Sequence, residues 1–141
     1  LENDIIAVFE KIGSDFAKHL VNKAADYDLE TLVSDVFDIL AQYAVGCLFI
    51  EKNQFDFKFL AEHYRAYRKK FLETMTQYLT AFVESGKVRP LEQLELTTTL
   101  IIEILSWWAM DIRYTSFETQ DIPPELAKKI CIDNIISAYK S

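Results

Sequence analysis

From Ile5 onward the apolar residues recur as Ile5, Phe9, Ile12, Phe16 and Leu20, with Glu10, Lys11, Asp15 and Lys18 between them. The i, i+4, i+7, i+11 spacing places those apolar side chains on one face of a helix. The stretch AADYD (24–28) interrupts the pattern. Asp28 there is suited to capping the next helix, because its carboxylate accepts from first-turn N–H groups that have no partner within the helix. Leu29, Val33, Val36, Leu40, Tyr43 and Cys47 then predict one helix ending near Asn53. FDFKF (55–59) alternates like a strand, but five isolated residues have no strand to pair with. Taken as helix, Phe55, Phe59, His63, Tyr67 and Phe71 align, so a short helix is expected to run into a longer one through Met75, Tyr78, Leu79 and Phe82.

The periodicity stops at Gly86, and Pro90 forbids its continuation until PLEQLE restarts it with acidic residues in the first turn. Gly86 falls where a helix end favours a left-handed residue, and Lys87 and Arg89 follow near the negative pole of the preceding helix. Residues 92–116 carry two apolar faces. Leu94, Thr98, Ile101, Leu105, Trp108 and Ile112 form one, and Leu96, Leu100, Trp107, Met110 and Tyr114 the other. A surface helix needs one apolar stripe, so this helix either crosses the middle of the fold or offers one face to a second chain. After the loop TSFETQDIPP, residues 125–140 form a last helix, with Ala127, Cys131, Ile135 and Ala138 on one side and Ile132, Ile136 and Tyr139 on another. The expectation is an all-α domain spanning 1–141, of about six helices joined by short loops.

Composition narrows the function more than the fold. Three glycines and three prolines are too few for the turns of an all-β chain. Fifteen Lys and Arg against 22 Asp and Glu give a net charge of −7, which argues against a free-standing nucleic-acid binder. The longest apolar run, AVGCLFI (44–50), is far below the roughly 18 residues of a membrane span. Cys47 and Cys131 sit in apolar helical surroundings, as buried reduced thiols do. The chain opens on Leu with no signal-like segment before the first helix pattern, which is expected of a fragment or processed product.

Few residues suggest chemistry. His19 and His63 have no histidine partner at helical spacing; His19 reads as a structural histidine, and His63, among Tyr64 and Tyr67, as packing or as a cavity wall. Neither a nucleophile elbow nor a phosphate-cradling glycine loop is present, so an enzyme is not expected, nor a cofactor or metal. Arg65, Arg68, Lys69 and Lys70 read as a solvated face. Glu103 lies among Leu96, Leu100, Trp107 and Met110, where it either anchors a ligand or an interface arginine or tilts out to solvent. Trp107 and Trp108 lean to opposite faces, one toward core or pocket and the other toward core or interface.

The run YRKKFLETMTQYLTAFVESGKVRPLEQLELTTTLIIEILSWWAMDIRY resembles the C-terminal regulatory domain of the TetR family of transcriptional regulators, and LENDIIAVFEKIGSDF resembles the helix that follows that family's DNA-reading head. The resemblance implies an effector-binding, homodimerising cytoplasmic domain whose last two helices form a four-helix bundle with their symmetry mates. DNA contact would be made only through a basic N-terminal head that these 141 residues do not contain. A small hydrophobic effector would bias the dimer between states whose two heads do or do not match one DNA turn. The expected ligand contacts are Phe37, Tyr43, His63, Tyr67, Phe71, Thr98, Ile101 and Trp108. The expected interface comprises Leu96, Leu100, Glu103, Trp107, Met110, Tyr114, Cys131, Ile135 and Tyr139, although the two faces of 92–116 are interchangeable on pattern alone. A free-standing helical carrier of apolar ligands and a helical dimerisation module without a cavity are the alternatives.

Overall fold

The computed structural model describes residues 2–22, 26–118 and 121–141, and the side chains of all of these but residues 19–22. The side chains of His19 and Leu20, the start of the 24–28 break and two residues of the last loop therefore lie outside the description. Six helices make up the described residues: α1 (Glu2–Asn22), α2 (Leu29–Gln42), α3 (Ala44–Lys52), α4 (Lys58–Glu84), α5 and α6 (Pro124–Tyr139). Helix α5 spans Leu94–Ser106 and continues through a π turn at Trp107–Asp111 into a last short turn at Ile112–Tyr114. The only β-type pairing among these residues is an isolated antiparallel bridge between Val88 and Lys140.

One buried cluster joins the helices. Leu32, Val33 and Val36 of α2, Met75 and Leu79 of α4, and Ile101 and Leu105 of α5 are all closed to solvent, with Ile135 of α6 nearly so. Helix α1 lies along α4: Phe9 packs against Tyr64 and Tyr67, and Phe16 against Phe71 and Tyr78. The pairs advance together, so the two helices run in the same direction. The Tyr78 hydroxyl donates to the Phe16 carbonyl and fixes that register deep in the seam.

The helix ends follow the sequence closely in two places. Asp28 accepts from the Thr31 N–H and hydroxyl, each at 2.9 Å, and this holds its carboxyl below the usual range. Gly86 has φ of +79°, its N–H bonds to the Val83 carbonyl at 3.1 Å, and the Lys87 N–H reaches the Phe82 carbonyl at 2.8 Å. Those two bonds are the paired closure by which a left-handed glycine ends a helix. Beyond it, the Arg89 N–H bonds to the Tyr139 carbonyl at 3.0 Å and the Ser141 N–H to the Lys87 carbonyl at 3.3 Å. The KVR stretch thus clips the C-terminus to the end of α4, while Lys87 donates to the Tyr27 carbonyl at 2.9 Å.

Two boundaries differ from the periodicity. The expected helix 29–53 breaks at Tyr43, whose φ of −105° and ψ of 14° leave the helical region, and α2 and α3 meet at 66°. AVGCLFI is apolar on every side, so its pattern specifies no axis; the bend turns Ala44, Cys47, Leu48 and Ile50 into the core. In place of the expected short helix the chain turns over residues 53–56, and α4 begins at Lys58. Asn53 ends α3, its side-chain amide and N–H both donating to the Phe49 carbonyl at 2.8 and 3.1 Å. Such short polar side chains compete with helix continuation. No single helix among the described residues is long and apolar enough to cross a membrane.

Candidate functional site

The α1–α4 seam opens into a groove of about 550 Å³. Its floor is Phe9, Phe16, Tyr67 and Phe71, with Phe9 stacked on Tyr67 at 4.9 Å between ring centroids. The groove exists because small residues face it: Gly13, Ser14 and Ala17 on α1, and Ala66 on α4. A Cβ built on Gly13 would meet nothing within 4 Å. Polar groups stand at the margins, namely Glu10, His63, Lys70 and Thr74. Burial pushes the Tyr67 phenol up to about 12, so it is neutral at ordinary pH and presents an apolar ring. An apolar body with a few peripheral polar groups is the chemistry such a lining accepts.

Of the eight expected ligand contacts, the structure brings His63, Tyr67 and Phe71 to this groove. Phe37, Thr98 and Ile101 lie instead in the closed core, and the Thr98 hydroxyl donates to the Leu94 carbonyl of its own helix at 2.7 Å. Tyr43 and Trp108 pack half-buried against that core, away from the groove. Tyr43 sits at the α2–α3 bend, and Trp108 turns toward the inner face of α5. Sequence reasoning missed the α1 wall, Ile6, Phe9, Gly13 and Ala17. The available signal was Gly13 and Ala17 four and eight residues after Phe9, small residues where a packed helix face calls for large ones.

The two apolar series of α5 differ in exposure, with one exception. Thr98, Ile101 and Leu105 face inward, whereas Leu96 (67% exposed), Leu100 (53%), Trp107 (43%) and Tyr114 (52%) stand in solvent. Met110, grouped with them by helical spacing, is buried. The π turn is the cause: the Ile112 N–H reaches the Trp107 carbonyl five residues back, and the wider turn swings Met110 inward. On α6, Cys131 and Ile135 are likewise core residues, Tyr139 is half-buried beneath the Arg89 guanidinium at 5.5 Å, and Leu126 and Ile130 are the large apolar residues left outside. Both cysteines are free thiols, and burial pushes Cys131 up to about 11.

A second recess, about 250 Å³, opens beside the π turn between Glu51, Tyr64, Arg68, Glu103, Ser106 and Trp107. Arg68, expected on a solvated face, is turned into it. Its guanidinium lies 3.6 Å from a Glu103 carboxylate oxygen and donates to the Ser106 hydroxyl at 3.4 Å. The Tyr64 hydroxyl donates to Glu51 across the recess. Glu103 itself tilts outward to solvent, 66% exposed, the second of the two alternatives the sequence left open, and meets an arginine of its own chain. Among the described residues no group of three or more His, Cys, Asp or Glu could hold a metal ion. No protein-family model matches the chain, and no curated protein shows significant sequence similarity to it.

Proposed function

We propose that this chain is the effector-binding and dimerisation part of a TetR-like transcriptional regulator, with a small, largely apolar effector held in the α1–α4 groove. The observation that carries the reading is the position of that groove. One wall is α4, anchored in the core through Met75, Tyr78 and Leu79; the other is α1, the helix that resembles the connection to a DNA-reading head. A ligand wedged between them shifts α1 against the rest, and it biases the two states only by its differential affinity for them. The exposed apolar residues of α5 and α6 supply the surface for a second copy. DNA contact belongs to a head outside these residues, and no catalytic step is involved.

The test pairs Gly13→Leu with the uncharged probe N-phenyl-1-naphthylamine. The parent chain is expected to sediment as a dimer and to raise the probe's fluorescence on binding. Gly13→Leu fills the groove from a position with open space around it, so it should stay folded and bind at least about tenfold more weakly, a loss of about 1.4 kcal/mol. Equal binding by both proteins would remove the groove from the mechanism. A dimer that binds nothing would fit a bare dimerisation module, and a monomer that binds would fit a carrier.

A further inference from the structure

We propose that the α1–α4 groove takes a molecule with an apolar body and a single carboxylate head, the head seated among Lys70, Ser14 and Thr74. The inference rests on the effector reading of that groove and adds the chemical class. The ring pairs fix the register of the two walls: Phe9 meets Tyr64 and Tyr67, and Phe16 meets Phe71 and Tyr78. In that register Lys70 falls level with Gly13 and Thr74 with Ala17, with Ser14 between them. Lys70 thus stands across from the position of α1 that has no side chain. Glu10 lies a turn away, toward the His63 end.

The polar groups at the Lys70 end are uncommitted. Elsewhere on α4 and α5, Thr76, Thr80, Thr98 and Thr99 each donate to the carbonyl four residues back, at 2.7 to 3.0 Å. Thr74 makes no such bond, the Ser14 hydroxyl has no partner among the described residues, and Lys70 pairs with no described carboxylate. Neighbouring cations are already engaged: Lys11 with Asp15 at 2.6 Å, Arg65 with Gln54 at 2.7 Å, and Arg68 with Glu103 and Ser106.

One ammonium and two hydroxyls supply donors to both oxygens of a carboxylate. A second negative charge on the head would find no second lysine or arginine in the lining and would meet Glu10. An ammonium head would have Glu10 with no serine or threonine level with it. Because Ser14 belongs to α1 and Lys70 and Thr74 to α4, the carboxylate ties the two walls together. The body then lies along Phe71, Tyr67 and Phe9 toward His63, on a floor about 16 Å long at 1.5 Å per helical residue.

Displacement of N-phenyl-1-naphthylamine by decanoate, 1-decanol and decylammonium near neutral pH tests the head, using the parent chain, Lys70→Met and Glu10→Gln. The parent should bind decanoate about tenfold more tightly than decylammonium. Nonspecific adsorption to a chain of net charge −7 would give the reverse order. Lys70→Met keeps the aliphatic stem of an exposed residue, so the chain should fold as the parent does. It should bind decanoate about tenfold more weakly and 1-decanol within about twofold of the parent. Glu10→Gln should bind decanoate at least as tightly as the parent. A parent that binds decylammonium as tightly as decanoate, a Lys70→Met chain that keeps its decanoate affinity, or one that loses all three ligands alike would each overturn the carboxylate head. The groove reading would survive those results so long as the dye binds the parent and Gly13→Leu excludes it. A dye that does not bind, or that binds Gly13→Leu equally, would overturn the groove reading itself.

Discussion

At Gly86 the backbone takes a φ of +79°, with open space where a side chain would begin. Any cost of a larger residue is therefore conformational and not a clash. Gly86→Ala should lower stability by about 1 kcal/mol, read from the urea midpoint, and Gly86→Asn should lose less, because asparagine tolerates the left-handed region better. This residue was legible in the sequence because scarce glycine, lost periodicity and Pro90 coincide there. Asp28 was legible for a similar local reason. Arg68 was not: RAYRKK places four cations within six residues, and only the approach of α5 distinguishes the one drawn inward to Glu103 from those left in water. Contacts between side chains 35 positions apart leave no local pattern to read.

Among the elements, α5 shows what periodicity records and what it overlooks. Its inner and outer faces were visible as two apolar series, yet the π turn at Trp107–Asp111 was not, because WWAM is apolar and satisfies any winding. The turn absorbs one residue, so the helix on either side keeps its mutual orientation. Deleting Ala109 should return this stretch to regular α winding at a cost of about 1–3 kcal/mol, with a cooperative melt retained by circular dichroism. Deleting Thr99 instead rotates everything beyond it by about 100°, carries Ile101 out of the core, and should abolish that cooperative melt. The α2–α3 bend escaped notice for the same reason as the π turn. The groove between α1 and α4 was half legible: the aromatic positions His63, Tyr67 and Phe71 stood out on α4, whereas on α1 the informative residues were those conspicuous for being small.

At the scale of the whole molecule, the all-helical class and helix order were readable because amphipathic spacing is set locally, while the angles between helices were not. Burial also sets how the fold meets alkali. Cys131 is raised from its usual 9.0 to about 11, Tyr67 from 10.0 to about 12, and Tyr64, Tyr27 and Cys47 are raised as well, each chiefly by burial. A folded-state value above the unfolded one means that the fold holds its proton more tightly. The stabilisation is thus complete below about pH 9 and falls as pH rises through 11 and 12. Urea midpoints measured from pH 8 to 12 should be flat at first and then decline, and Tyr67→Phe should decline less steeply between pH 10 and 12. The clip between residues 87–89 and 139–141 has a mechanical consequence as well. Tension applied at Ser141 reaches the end of α4 through the Ser141–Lys87 bond and the Val88–Lys140 bridge, alongside its path up α6. Two segments about fifty residues apart therefore share the load, and α6 is shielded from being peeled away one turn at a time until those few short bonds have parted.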